Sequence, residues 1–160
     1  MLKVNVVCVG KLKEKYLRDA VAEYSKRLQA FCKFDITEVD EEKTTDSPNG
    51  SQIQNILNAE GKRILSKIDK SAKVVAMCIE GKQKSSKAFA EFFGDSAVNG
   101  VSNIVFVIGG SWGLSEEVKR RADLKLSMSE MTFPHQLARV MLCEQIYRAF
   151  SINSGSKYHK

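Results

Sequence analysis

Histidine is nearly absent from this chain. Only His135 and His159 occur among 160 residues, too few for a multi-histidine metal centre, and no metal is expected. Cysteine occurs at Cys8, Cys32, Cys78 and Cys143, never as a C-x-x-C pair. Three of these four sit inside apolar runs and read as buried free thiols of a reducing compartment, not as disulfides or zinc ligands. No stretch approaches the roughly 18 apolar residues of a membrane span. The start, MLKVNVVCVGKLKEK, puts a lysine inside a short apolar run and lacks the layout of a signal peptide. A cytoplasmic protein with no membrane partner is expected.

Familiar nucleotide-binding motifs are missing too. The first strand pattern ends in Val9-Gly10-Lys11-Leu12, with one glycine where a dinucleotide site needs G-x-G-x-x-G, so NAD is disfavoured. Gly81-Lys82 runs into Gln83 and lacks the upstream glycine of a Walker A loop. Serine, cysteine and histidine form no nucleophilic triad that can be argued for. With no obvious carboxylate pair for magnesium either, a nucleotide hydrolase ranks low.

What is present suffices for one hydrophobic core: 43% of residues are apolar, and one domain over residues 1–160 is expected. The net charge of +6 and pI near 9.1 suit either a polyanionic partner or an ordinary basic protein. Lys11, Lys13, Lys15 and Arg18 cluster before and within the first helical pattern. They read as a solvated helix start or as a phosphate-contacting patch.

Hydrophobic periodicity alternates between strand and helix. Leu2 to Val9 reads as a buried strand, and Glu14 to Cys32 as an amphipathic helix through Leu17, Ala20, Val21, Tyr24, Leu28 and Phe31. Phe34 to Val39 is a second strand, Asp40 to Gly50 a mobile polar loop, and Ser51 to Ile68 a second helix. Val74 to Ile79 reads as a central parallel strand ended by Glu80-Gly81-Lys82. Ser85 or Ser86 caps a helix carrying Phe89, Phe92 and Phe93. Ile104 to Ile108 is a strand, Ser115 to about Arg121 a short helix, and Leu124 to Met128 the last strand. The class is α/β, with a mostly parallel sheet of five to six strands flanked by helices.

The last quarter organises the rest. Pro134 stands where a helix should begin, and roughly His135 to Phe150 is apolar around nearly its whole circumference. Such a helix suggests one face on the core and another on a partner subunit. Its charges are sparse: Arg139 alone, and Glu144 with Arg148 at i, i+4. A Gly-containing turn leads to Tyr158-His159-Lys160, able to stack on a nucleobase and meet a phosphate. His135, at the helix start, reads as a cap or structural hydrogen bonder. In open parallel sheets, ligands bind at carboxyl ends of strands. Three such ends are rich in turn residues: Cys78 to Lys82, Gly109 to Leu114, and Ser127 to Phe133.

Several blocks resemble one family. They are Phe106-Val107-Ile108-Gly109-Gly110-Ser111 with Gly113-Leu114; Leu126-Ser127; Met131-Thr132-Phe133-Pro134-His135-Gln136; Arg139-Val140; Glu144-Gln145-Ile146-Tyr147-Arg148-Ala149; and Tyr158-His159-Lys160. Together they look like the ribosomal RNA large subunit methyltransferase H family, within the SPOUT (trefoil-knotted) methyltransferases. Trp112 and the loop from Asp40 to Gly50 depart from its pattern. The resemblance implies a homodimer that methylates N3 of a pseudouridine in large-subunit (23S) rRNA on the assembled ribosome, with S-adenosylmethionine as donor. It implies a C-terminal trefoil knot, which the ordinary rule of unknotted connections excludes. It also implies cofactor contacts at Met77, Gly109 and Met128, Ser129, Glu130, Met131, Thr132 and Phe133. Within that reading His159 is the candidate base, Tyr158 stacks on or orients the acceptor, and Arg139 balances charge on the uracil carbonyls.

Overall fold

The computed structural model describes residues 1–160. The elements, in order, are β1 (Lys3–Val9), α1 (Lys15–Leu28), β2 (Lys33–Val39), α2 (Gly50–Leu65), β3 (Lys73–Gln83), α3 (Ser86–Val98), β4 (Asn103–Ile108), α4 (Glu116–Arg121), β5 (Leu124–Ser127) and α5 (His135–Asn153). All five strands are parallel, in the order β2-β1-β4-β3-β5.

Alternation along the central strands explains how both faces are covered. Val4, Val6 and Cys8 of β1 point to one face with Ile104, Phe106 and Ile108 of β4, where α1, α3 and α5 pack through Leu28, Phe89, Phe93, Leu142 and Ile146. Val7 and Val9 point to the other face with Val105 and Val107, under α2 and α4 through Ile64 and Val118. Strands buried on both sides read as continuous apolar runs, as these do. Aromatic contacts stitch the first face: Phe89 meets Phe106 edge-on at 5.8 Å, and Phe93 lies 5.0 Å from Phe150.

Helix starts follow local chemistry. Ser85 and Ser115 cap α3 and α4 by accepting from Ala88 N and Val118 N. Asn49 and Gln52 form a reciprocal capping box at α2. Side-chain caps of this type contribute about 1 kcal/mol each.

Two expected boundaries move, and one loop expected to be mobile is held. α1 ends at Leu28, because Phe31 and Cys32 lie in the turn that leads into β2. The polar loop is anchored: Arg63 of α2 pairs with Glu42 and donates to Asp40 O. Most consequentially, β3 does not stop at Glu80-Gly81-Lys82. It bulges after Met77 and rejoins β5, so that Leu126 pairs with both Met77 and Lys82. Gly81 permits this, since a Cβ there would stand 2.7 Å from the Leu126 backbone.

Candidate functional site

The three turn-rich strand ends converge. Residues 77–79 of β3, residues 108–111 and 113 in the turn after β4, and residues 126–129 and 131–135 after β5 wall a cleft of about 610 Å³, with Ala138 of α5 also lining it. Half of its 18 lining residues are hydrophobic, and its volume lies within the roughly 300–1,000 Å³ usual for small-molecule sites. Glycine is needed at Gly109 for space. A Cβ there would stand 2.3 Å from Gly113 O, while its φ lies outside the left-handed region. The turn closes through Gly113 N donating to Gly110 O at 3.1 Å. The opposite wall is shaped by its own serine: Ser129 Oγ accepts Met131 N, and Ser129 O accepts from Ser127 Oγ, both at 3.0 Å. A flat ligand with an apolar face and polar edges can lie between these walls, bound largely through backbone groups.

Met77, Gly109, Met128, Ser129, Met131, Thr132 and Phe133 all line the cleft. Glu130 is exposed and does not. The residue-by-residue expectation missed Pro134, His135 and Ala138, which the first turn of α5 contributes. Their signal was the i, i+3 spacing from His135 to Ala138 next to the Met131–Phe133 turn. His135 is half-buried, and burial chiefly pushes its pKa down, with Arg139 and Lys13 adding and Glu41 opposing. Its imidazole is therefore neutral at neutral pH.

The other expected site residues lie elsewhere. Arg139 is 2% exposed; its guanidinium donates to Glu38 Oε2 at 2.6 Å and to Gly10 O at 3.1 Å, tying α5 to the ends of β1 and β2. It borders a groove with Lys11 and Arg18, and it does not line the cleft. Helix periodicity leaves Arg139 alone because its partner is 101 residues away. Arg18 spends one nitrogen on Leu12 O and Lys13 O, so part of the basic cluster is a helix-start clasp. Lys15 pairs with Asp19 on the exposed surface.

The tail docks on the second half of α5. Glu144 and Arg148 pair at 2.7 Å, as their spacing indicates. Arg148 lies over the Tyr158 ring at 4.8 Å and contacts His159 Nδ1 at 3.1 Å. Tyr158 meets Tyr147 edge-on at 4.8 Å, and burial, Tyr24 and Glu144 push its pKa up to about 12. Arginine only donates, so Nδ1 of His159 accepts and the ring proton sits on Nε2. A second cavity, of about 460 Å³, shares Leu126, Ser127 and Met128 with the cleft and runs along α5 past Val140 and Met141 to Glu144.

The family model described as "Predicted SPOUT methyltransferase" matches residues 2–159. Proteins named ribosomal RNA large subunit methyltransferase H, from Clostridium novyi (strain NT) and Streptococcus sanguinis (strain SK36), are each 52% identical over 159 residues. Each match covers 99% of this chain and 100% of the relative. A solved probable methylase family protein from Haemophilus influenzae Rd KW20 shares the fold at TM-score 0.53 and 12% identity. That match covers 99% of this chain and 70% of the other.

Proposed function

The chain belongs to the ribosomal RNA large subunit methyltransferase H family of SPOUT methyltransferases, and on that footing we propose a specific reaction. It transfers the methyl group of S-adenosylmethionine to N3 of a pseudouridine in large-subunit rRNA, as a cytoplasmic homodimer acting on the assembled ribosome. The observation that carries this reading is the cleft at the ends of β3, β4 and β5. The space that a Cβ at Gly109 would fill lets backbone approach a ligand closely, and the flanking Met77, Met128 and Phe133 suit an adenine and a sulfonium methyl. When bound there, S-adenosylmethionine supplies a methyl group already activated by positive sulfur.

The chain's own residues have three tasks. The turn 109–113 and residues 128, 129 and 131–133 hold the donor and exclude water. The acceptor must be held in line, at about 3–3.5 Å from the methyl. Proton removal from N3 then needs a base or a stabilised anion. With its proton on Nε2, His159 acts as found by donating to a carbonyl oxygen of the acceptor. It becomes the base only after releasing Arg148. Tyr158, with its phenol protonated, supplies a stacking face. Arg139 is a positioning residue, fixing the start of α5 that lines the cleft. The threading of the tail as a trefoil knot belongs to the same reading.

The dimer is supported by α5. Leu137, Val140, Met141 and Glu144 form an i, i+3, i+4, i+7 stripe that the chain itself leaves half covered. Ribosomes and free rRNA from unmethylated cells, incubated with methyl-labelled S-adenosylmethionine, test the whole reading. Label is expected at one pseudouridine, on ribosomes and not on free rRNA. Label absent from both substrates rejects it.

A further inference from the structure

Beneath the glycine turn lies a carboxylate that the proposed chemistry does not use. Glu60, late in α2, is 3% exposed. Its Oε2 accepts the backbone N–H of Glu42 at 3.0 Å, from the acidic loop after β2. The same carboxylate faces Gly110, where a Cβ would stand 3.4 Å from Oε1. The next residue, Gly61, meets the far end of the turn. A Cβ there would fall 2.4 Å from Ser115 Oγ, the hydroxyl that caps α4 through Val118 N. Two successive residues of one helix thus touch both ends of the turn whose open side lines the cleft.

This contact is held at a cost. Glu41 and Glu42 from the loop and Arg63 from α2 are the charged groups that face Glu60. Burial chiefly pushes its pKa up; the Glu42 N–H and Arg63 oppose this, and the two acids add to it. A buried carboxylate with a single hydrogen-bond donor is a poor choice for packing alone.

We infer that Glu60 and Gly61 are positioning residues for the donor-binding turn: they set where Gly110 and Ser115 stand, and through Glu42 they tie that turn to the acidic loop. The inference rests on the cleft being the S-adenosylmethionine site. It separates binding from chemistry, because neither residue lines the cleft or touches the tail.

The test compares E60A, which removes the acceptor, with E60Q, which keeps an oxygen and the volume. The probe is S-adenosylhomocysteine in calorimetric titration, followed by kcat and KM on ribosomes. E60A should weaken binding by about tenfold or more, with kcat at saturating donor within about threefold of wild type. E60Q should restore affinity to within about threefold and, lacking the buried charge, melt no lower than wild type at pH 7. Should E60A not fold, E60D replaces it with the same expectation. A loss confined to kcat, or E60Q as weak as E60A, overturns the inference. Equal affinity in wild type and E60A overturns it while leaving the cofactor reading in place. A wild-type chain that binds no S-adenosylhomocysteine removes both.

Discussion

Replacing Gly109 by alanine tests the cleft most directly. A Cβ at this position stands 2.3 Å from Gly113 O and 2.6 Å from Gly113 C, both backbone atoms. Ordinary van der Waals separation is about 3.5 Å, so the turn has to open by roughly 1 Å. Overpacking of this kind costs about 1–3 kcal/mol, and each kcal/mol lowers Tm by about 2–4 °C in a chain of this size. The opened turn is also a wall of the cleft. A misplacement of about 1 Å there is expected to cost on the order of 100-fold in methyl transfer. Gly94 provides the control. It lies within α3, and a Cβ there meets nothing within 4 Å. G94A should raise stability by about 0.5–1 kcal/mol and leave transfer unchanged. Calorimetric titration with S-adenosylhomocysteine, thermal melts and single-turnover transfer give the three readouts. If G109A binds and transfers within twofold of wild type, the turn is not the donor site and the steric argument would be falsified.

Other outcomes follow from the same contacts. R139A should lose about 2–3 kcal/mol in thermal melts, below the roughly 3–5 for a fully buried pair because the Glu38 carboxylate is 39% exposed. R139M should lose less, and a loss under about 1 kcal/mol in R139A would remove its role as a tie. The folded state depresses the pKa of His135, so its protonation opposes folding. Stability should therefore be complete above the unfolded value of about 6.5 and fall as pH drops below it, while H135Q flattens that slope. Trp112, the only tryptophan, is 44% exposed within the donor turn, so S-adenosylhomocysteine should shift its emission; an unchanged spectrum at saturation counts against the site.

The sheet was legible because its strands are buried on both faces. Val74–Ala76 and Ile104–Ile108 could hardly be anything else. The cleft was legible too, since turn residues gather where three parallel strands end. What periodicity could not supply was contact across sequence. Arg139 reads as a lone charge until Glu38 is brought to it. Glu60 reads as an ordinary solvated helix acid until the loop at Glu42 closes over it. The Gly81 bulge reads as a strand end because a glycine that ends a strand and one that lets two strands approach leave the same local pattern. The family resemblance added the expectation of a reaction and of a knot, neither of which spacing alone contains.

Cleft and tail lie apart on one chain. Ala138 lines the cleft, whereas Arg148 holds the tail, ten residues further along α5. At about 1.5 Å per residue, that is some 15 Å along the helix axis. Neither Tyr158 nor His159 lines the cleft of its own chain, so a second copy is the economical way to bring a tail to it. Complementation decides between the two arrangements. G109A disables the cleft and H159A the tail, and each is expected to be nearly inactive alone. If the chain pairs as proposed, half the dimers are mixed after re-equilibration. If the site is shared between chains, each mixed dimer has one intact cleft facing one intact tail. About a quarter of wild-type activity then returns. If the site lies within one chain, every cleft in the mixture is broken or faces its own missing tail, and nothing returns. Recovery near a quarter supports the shared site. Activity that stays at the level of the separate variants, with subunit exchange verified by mass, rules it out.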